Sequence, residues 1–136
     1  MARSRHAGLP VFDRILVDAP CSGLGVMRRH PESKGQRQES TFVRHQILQG
    51  QILEAVAPCL RPGGVLVYST CSTETEETEE VINRFCEIYP GWMRESVAPW
   101  LPPAAFPFVT ELGALSTMCN RAGMDGFYAV RLRNMS

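Results

Sequence analysis

The sequence has none of the features that mark a membrane-spanning or exported chain. It contains no run of about 18 apolar residues, the length that a helix needs to cross a bilayer. Its start, MARSRHAGLP, lacks the apolar segment of a signal peptide. With 136 residues, of which 44% are hydrophobic, the chain can form the core of one globular domain. These properties predict a cytoplasmic globular protein that binds no membrane.

Closely spaced cysteine pairs are also missing. The five cysteines are an odd number without a Cys-x-x-Cys pair, so the sequence indicates neither a disulfide framework nor a metal site. A thiol oxidoreductase is disfavoured for the same reason. A dinucleotide loop is incomplete, because Arg28 stands where the third glycine of G-x-G-x-x-G would follow Gly23 and Gly25. These gaps argue against zinc, redox and dinucleotide chemistry.

The chain has no net charge, with 14 basic and 14 acidic residues, but the two signs are unevenly distributed. Residues 1–45 hold eight Lys or Arg against four Asp or Glu, a net charge of +4. Residues 46–100 hold three against eight, a net charge of −5. A basic segment can bind a phosphate backbone. A solvated surface explains the same pattern equally well, so charge alone does not decide for nucleic acid.

Hydrophobic patterning predicts an α/β fold. The predicted strands are 11–19, 65–70, 92–97 and 127–132, and the predicted helices are 41–59 and one that opens with a capping box from Thr73 to Glu76. The first helix should bury a stripe made of Leu48, Ile52, Ala55 and Cys59. Residues 61–64 (RPGG) should form a turn, and residues 28–39 and 99–123 should form loops. This order predicts two parallel strands joined by a right-handed crossover helix, followed by a terminal antiparallel pair.

Two cysteines directly follow the two predicted parallel strands. The strand ends read Asp18-Ala19-Pro20-Cys21 and Ser69-Thr70-Cys71-Ser72. Neighbouring strands lie about 4.8 Å apart, and open α/β sheets place their sites at the carboxyl ends of the strands. The two thiols are therefore expected side by side at one edge. A buried structural role is favoured instead for the other cysteines, Cys59, Cys86 and Cys119.

Four stretches together resemble the Nop2/Sun family of S-adenosylmethionine-dependent RNA cytosine-5 methyltransferases. They contain the motifs DAPCSG, RHPESK, LRPGG through YSTCS, and DGFY, and they span nearly the whole chain in order. The RHP stretch is most similar to the bacterial Sun branch, which methylates ribosomal RNA of the small subunit. The family usually has Lys-Trp where this chain has Lys34-Gly35. The resemblance implies a Rossmann-like methyltransferase sheet and RNA, with ribosomal RNA favoured, as the partner.

The resemblance also implies roles for individual residues. Cys71 would be the nucleophile that adds to carbon 6 of cytosine, and Cys21 would assist release of the product. Asp18 would hold the cytosine edge, and both Asp18 and Pro20 would border the S-adenosylmethionine site. In the DNA enzymes the cysteine of the Pro-Cys motif is the nucleophile instead. The Thr70-Cys71 pair on the second strand favours Cys71 here.

Other residues have a functional and a structural interpretation of similar weight. Contacts with RNA phosphates are one interpretation of Arg28, Arg29, His30 and Lys34, and a solvated loop is the other. Asp125 and Phe127, from the DGFY motif, would line the substrate pocket or form a turn into an edge strand.

Family members carry a glycine-rich loop and two acid-bearing strands ahead of DAPC, whereas this chain begins shortly before it. Residues 1–136 are therefore expected to form the carboxyl-terminal half of a methyltransferase catalytic domain, without the glycine-rich cofactor-binding half. Strand 11–19 would then be an exposed apolar edge that can self-associate. Two functions follow: an RNA cytosine-5 methyltransferase that uses S-adenosylmethionine, or a non-catalytic interaction module that dimerises through this edge.

Overall fold

The structure is a computed structural model that describes residues 8–19, 38–71, 77–117 and 126–136, with side chains in the first helix from residue 44 onward. The described strands and helices are β1 (Phe12–Ala19), α1 (Gln38–Val56), β2 (Leu60–Thr70), α2 (Glu79–Ile88), β3 (Trp92–Glu95), β4 (Leu115–Thr117) and β5 (Phe127–Asn134). Short 3-10 helices occupy Ala57–Cys59, Ala98–Trp100 and Pro103–Phe108.

The strands form one mixed sheet in the order β1-β2-β5-β3, and β4 also pairs with β5. β1 and β2 are parallel. β5 runs antiparallel to β2, β3 and β4. The predicted α/β fold, with a parallel pair and a terminal antiparallel pair, is confirmed, and the arrangement is that of a Rossmann-like α/β unit.

Side chains alternate between the two faces of this sheet. Leu66, Tyr68 and Thr70 of β2 point to one face and are fully buried. Both helices pack against this face, which we call the helix face; their buried residues include Leu53 and Phe85. The opposite face, called the second face, carries Arg14, Leu16 and Asp18 of β1 and Arg131 and Arg133 of β5.

The predicted apolar stripe of the first helix is only partly correct: Ile52 packs against the core and Cys59 is half-buried, but the other two residues are not buried. Leu48 and Ala55 are exposed, whereas Gln49, Leu53 and Ala57 are buried. Two adjacent stripes of this helix are both largely apolar. The sequence period alone therefore does not decide which one faces the sheet, and packing against β1 and α2 selects it.

The turn predicted at 61–64 is also wrong, because these residues lie within β2. Gly63 has a φ of 82°, a left-handed conformation that glycine adopts without strain. A Cβ on Gly64 would lie 2.8 Å from the carbonyl oxygens of Asp13 and Arg61. The pairing of β1 with β2 shifts register between Phe12 and Arg14, so β2 passes through an irregularity instead of ending there.

Two loop predictions need correction as well. Residues 115–117 form β4, inside the segment predicted as a loop, and Gln38 and Glu39 belong to α1. Three residues are too few to show an alternating pattern in the sequence. The strand forms because these residues pair with β5. The predicted capping box at Thr73 and Glu76 lies outside the described residues. The strand predicted at 92–97 is confirmed but ends at Glu95.

Candidate active site at the carboxyl edge of the sheet

The cross-strand register brings several predicted site residues to one edge of the sheet. Asp18 lies opposite Ser69, and Ala19 lies opposite Thr70. Thr70 in turn lies opposite Tyr128, near the start of β5. The carboxyl ends of β1 and β2 therefore meet the start of β5, and we call this edge the site edge. It is the edge at which parallel strands place their sites.

Asp18 presents an exposed carboxylate at the site edge. The buried Ser69 hydroxyl donates a hydrogen bond of 3.3 Å to its Oδ1 atom. Within the described residues, the other carboxylate oxygen accepts no hydrogen bond. One oxygen is thus oriented by the neighbouring strand, and the other can contact a ligand.

Cys71 directly follows β2 and is exposed. Its sulfur is in a disulfide in this structure, so a nucleophilic reaction requires the reduced thiolate. Cys59 and Cys86 are free thiols and half-buried, and burial raises the pKa of Cys86 despite the nearby charge of Arg94. A thiol with a raised pKa is a weaker nucleophile at neutral pH, which argues against Cys86. Of the three described cysteines, Cys71 is the exposed one.

Phe127 starts β5 at the site edge and is 38% exposed, so part of its ring faces solvent there. The structure therefore brings Asp18, Cys71 and Phe127 to one edge. The remaining predicted site residues lie outside the described residues: Pro20, Cys21, Arg28, Arg29, His30, Lys34 and Asp125.

A charged cluster behind the site edge was not predicted from the sequence. Arg94 of β3 donates two hydrogen bonds to the Glu79 carboxylate, at 2.5 and 3.0 Å. The Tyr128 hydroxyl donates a third, at 2.7 Å. Burial raises the pKa of Glu79, but the hydrogen bonds from Arg94 and Tyr128 outweigh it, so the pKa lies below its usual value. We call these three residues the Glu79 cluster.

Only weak signals of the Glu79 cluster exist in the sequence. Glu79 is one of several acids at the start of the second helix, and nothing in its spacing distinguishes it from the exposed Glu80. Its partners are 15 and 49 positions away, on β3 and β5. Only the assembled sheet brings them together.

A second tyrosine contacts the same helix start. The Tyr68 hydroxyl donates a buried hydrogen bond of 3.0 Å to the carbonyl oxygen of Glu77. Burial, and then the charge of Glu77, raise the pKa of Tyr68, and burial followed by the hydrogen bond to Glu79 raises that of Tyr128. Both hydroxyls therefore stay protonated and act as donors at neutral pH.

A different cluster, the Glu95 cluster, lies on the second face toward the opposite end of the sheet. Arg131 and Arg133 each donate a hydrogen bond to Glu95, at 2.9 and 2.6 Å. The Arg131 guanidinium also stacks 3.7 Å from the ring centre of Trp100. This cluster joins β3, β5 and the 3-10 helix at Ala98–Trp100, and it does not reach the site edge.

In the described part of the chain, no group of three or more His, Cys, Asp or Glu side chains is placed to hold a metal ion. No described helix is long and apolar enough to span a bilayer. At the site edge, the exposed Asp18 carboxylate is negatively charged and can contact one positively charged group of a ligand.

Comparison with known proteins agrees with this geometry. Residues 2–133 match the family model described as 16S rRNA methyltransferase RsmB/F. The chain is 42% identical over 123 residues to the probable ribosomal RNA small subunit methyltransferase B of Bacillus subtilis, covering 90% of this chain and 27% of the relative. It is 48% identical over 129 residues to ribosomal RNA small subunit methyltransferase B of Cronobacter sakazakii, covering 95% and 28%.

A solved structure shows the same fold. The crystal structure of NSun6 from Pyrococcus horikoshii with SFG superposes with a TM-score of 0.74 at 28% identity, covering 100% of this chain and 33% of that protein. The chain therefore spans about a quarter of the length of the curated relatives it matches and a third of this structure.

Proposed function

Because the chain belongs to the 16S rRNA methyltransferase RsmB/F family, we propose that it forms the catalytic edge of a methyltransferase acting on carbon 5 of cytosine in ribosomal RNA. The observation that carries this proposal is the placement of Cys71 and Asp18 at the ends of adjacent parallel strands. The strong identity to ribosomal RNA methyltransferases supports the substrate class. The cytoplasmic location predicted from the sequence is part of the same proposal.

Cys71 would act as the nucleophile in its reduced form. Carbon 5 of cytosine is weakly nucleophilic, and addition of the Cys71 thiolate to carbon 6 moves electron density onto it. S-adenosylmethionine supplies an electrophilic methyl group when bound. After carbon 5 is methylated, a base takes its proton, and the electron pair of that carbon–hydrogen bond restores the ring double bond as the bond between carbon 6 and sulfur breaks and releases the Cys71 thiolate. Cys21, two residues after the end of β1 in the sequence, would assist this release.

Asp18 would bind the polar edge of the cytosine and border the methyl donor together with Pro20. The hydrogen bond from Ser69 orients one carboxylate oxygen, and the other oxygen would contact the ligand. SFG, present in the NSun6 structure, is an analogue of S-adenosylmethionine, which supports this donor. Phe127, partly exposed at the site edge, would contact the substrate base together with Asp125. Arg28, Arg29, His30 and Lys34 would contact RNA phosphates.

The test uses a chimera in which this chain replaces the matching part of the B. subtilis relative. We expect the chimera to methylate small-subunit ribosomal RNA. Cys71→Ala should abolish both methylation and the covalent RNA adduct, whereas Cys21→Ala should accumulate the adduct because release is slowed. Cys86→Ala, which removes a half-buried thiol on α2, is the matched control and should change neither readout.

Two outcomes would contradict the proposal. If Cys71→Ala still trapped an adduct while Cys21→Ala did not, the two roles would be reversed. If the chimera methylated an RNA base at a position other than carbon 5, the proposed reaction would be wrong.

We propose that the donor site needs more of the protein than residues 1–136. Among the described residues, only Asp18 is assigned to it, and one carboxylate makes a weak site. Titration calorimetry of this chain with S-adenosylmethionine should therefore show no tight binding, whereas the chimera should bind it. Tight binding to the isolated chain would contradict this division of the domain.

The second candidate function, an interaction module, is favoured by the exposure of β1. This strand is at the edge of the described sheet, and its residues Phe12 and Leu16 are 49% and 69% exposed. An edge strand with apolar side chains favours pairing with another chain. Sedimentation should show a dimer that Leu16→Lys dissociates, and the matched variant Ile47→Lys, at an exposed site on α1, should not. A monomer at all concentrations would exclude this function.

A further inference from the structure

A pocket opens on the second face of the sheet, beside the irregular part of β2. It has a volume of about 170 Å³, and the charged residues that line it are Asp13, Arg14, Arg131 and Arg133. The pairing of β1 with β2 shifts register next to it, between Phe12 and Arg14. We call this cavity the arginine pocket. It lies at the start of β1, away from the site edge, and the reaction proposed above does not use it.

The strand register places the three arginines on both sides of β2. Arg14 of β1 and Arg133 of β5 are both paired with Val65, one on each side of it. Arg131 lies two residues before Arg133 in β5, so its side chain points to the same face. Guanidinium groups from two different strands therefore line one cavity.

The guanidinium group of Arg131 is held in place with donors to spare. Only 9% of its side chain is exposed. Its Nε atom donates to Glu95, and one of its faces stacks on the ring of Trp100. Within the described residues, its two terminal nitrogens donate no hydrogen bond. Fixed guanidinium donors of this kind suit the oxygen atoms of a phosphate group.

The arginine pocket carries an excess of positive charge. Glu95 accepts a hydrogen bond from each arginine of β5, so its single negative charge balances one of them. Asp13 forms an ion pair with Arg61. Arg14 is exposed and makes no hydrogen bond or ion pair within the described residues. Four arginines therefore meet two carboxylates, which leaves two positive charges for an anion.

We propose that the arginine pocket binds a phosphate group of the RNA strand whose cytosine reaches the site edge. The inference rests on the proposed function and adds a second contact with the RNA. Arg14 and Asp18 lie on the same face of β1, four residues or about 13 Å apart. A stacked strand places one phosphate about every 3.4 Å along its axis, so the pocket holds a phosphate about four nucleotides from the target base.

The test uses three variants at exposed positions. Arg14→Gln removes one positive charge from the pocket and no contact that stabilises the fold. Asp13→Asn changes the charge of the pocket in the opposite direction. Arg84→Gln is the matched control, because Arg84 is exposed on α2 and makes no ion pair within the described residues. Each variant should keep the melting temperature of the wild type by circular dichroism, which is measured first.

The readout is the binding of a labelled single-stranded RNA of about eight nucleotides, twice the proposed spacing. Fluorescence anisotropy measures it at a series of salt concentrations. We expect Arg14→Gln to weaken binding about five-fold at low salt and to reduce the slope of log affinity against log salt by about 0.7, the contribution of one phosphate contact on a single strand. Asp13→Asn should strengthen binding about two-fold, and Arg84→Gln should match the wild type.

Several outcomes would overturn the proposal. A slope for Arg14→Gln equal to that of the wild type would do so, as would a wild-type chain that binds no RNA at low salt. Equal losses in Arg14→Gln and Arg84→Gln would also overturn it, because the RNA would then respond to the overall charge of the chain and not to the pocket.

Titration calorimetry with inorganic phosphate distinguishes a free anion from the RNA backbone. We expect weak phosphate binding that Arg14→Gln reduces, in parallel with the loss of RNA affinity. Tight phosphate binding that Arg14→Gln abolishes, together with an unchanged salt slope for RNA, would assign the pocket to a free anion and overturn the RNA contact.

No methyl donor takes part in these assays, so their failure is distinct from failure of the proposed reaction. In the methyltransferase chimera, Arg14→Gln should raise KM for RNA about five-fold and leave kcat nearly unchanged. A fall in kcat with an unchanged KM would contradict a role in RNA binding.

Discussion

Arg94 and Glu95 are neighbours on β3, yet they serve two different clusters on opposite faces of the sheet. Arg94 points to the helix face and joins the Glu79 cluster. Glu95 points to the second face and joins the Glu95 cluster. Both clusters pair arginine with glutamate. The first connects a helix to the sheet behind the site edge, and the second connects strands to each other at a distance from it.

The two clusters differ in the stoichiometry and burial of their charges. In the Glu79 cluster one half-buried carboxylate accepts three hydrogen bonds. The side chains of Arg94 and Glu79 are 18% and 22% exposed. In the Glu95 cluster one carboxylate binds two guanidinium groups. One of them, Arg133, is more exposed than either side chain of the Arg94–Glu79 pair. The same pairing of arginine with glutamate therefore joins a helix to the sheet in one place and two strands to each other in another.

Removing the Glu79 carboxylate should have the largest effect on stability. In Glu79→Ala the Arg94 guanidinium loses its partner, and its Nε atom already lacks one among the described atoms. We expect a loss of about 3 kcal/mol in the free energy of unfolding, in the range found when one member of a buried pair is removed. Urea denaturation measures it, and Glu80→Ala, an exposed neighbour, is the control. A loss below about 1 kcal/mol would mean that the pair is solvated.

Glu95→Ala should cost less, about 2 kcal/mol, because part of this cluster is exposed and Arg131 keeps its contact with Trp100. The same urea experiment measures it, with the exposed Glu87→Ala as the control. A loss larger than that of Glu79→Ala would contradict the contrast between the two clusters.

Acidification should weaken both clusters by a smaller amount. Burial raises the pKa of Glu79, but Arg94 and Tyr128 bring it below the usual 4.5. The hydrogen bond from Arg133 lowers the pKa of Glu95, with burial opposing it and Arg131 adding to it. Both carboxylates therefore stabilise the fold fully above pH 4.5, and this contribution is lost as the pH falls through the lowered pKa values.

The slope of stability against pH below 4.5 tests this expectation. Glu79→Gln and Glu95→Gln should each flatten the slope in a series of urea titrations, since a glutamine does not titrate. A slope unchanged by both substitutions would show that other carboxylates control the acid response.

The exposed pair of Asp13 and Arg61 should contribute least. Its side chains are 72% and 57% exposed, and the ion pair measures 2.9 Å. Pairs of this kind stabilise a fold by about 0.5 kcal/mol or less in most cases. Asp13→Asn should therefore leave the thermal midpoint almost unchanged in differential scanning calorimetry. A loss as large as that of Glu95→Ala would contradict the ranking by burial.

The sequence was sufficient to predict the strands that have a strong local pattern of hydrophobic residues. The strands before Pro20 and Cys71 and the last strand are short runs rich in β-branched or aromatic residues, and all three are confirmed. The meeting of Asp18 and the Cys71 end at one edge followed from the parallel order, and the register confirms it for these two positions. The chemical roles assigned to both residues remain predictions.

Features that depend on tertiary contacts could not be predicted. The buried face of α1 differs from the predicted one, because Gln49 lies in the core and Leu48 does not. Packing against the rest of the fold determines which face is buried. β4 exists because β5 offers it a partner. The Glu79 cluster joins residues 15 and 49 positions apart, a separation at which composition and periodicity carry no signal.

The alternation along β3 limits which changes in chain length this protein can accept. Because side chains in a strand alternate between faces, one residue inserted between Gly91 and Arg94 would slip the register and send the arginine and the glutamate to the wrong layers. Both clusters would be lost together, because Arg94 would no longer reach Glu79 and Glu95 would no longer reach the two arginines of β5. Evolution can exchange side chains here one at a time, but an insertion or deletion of a single codon would have to be compensated within the same four-residue strand.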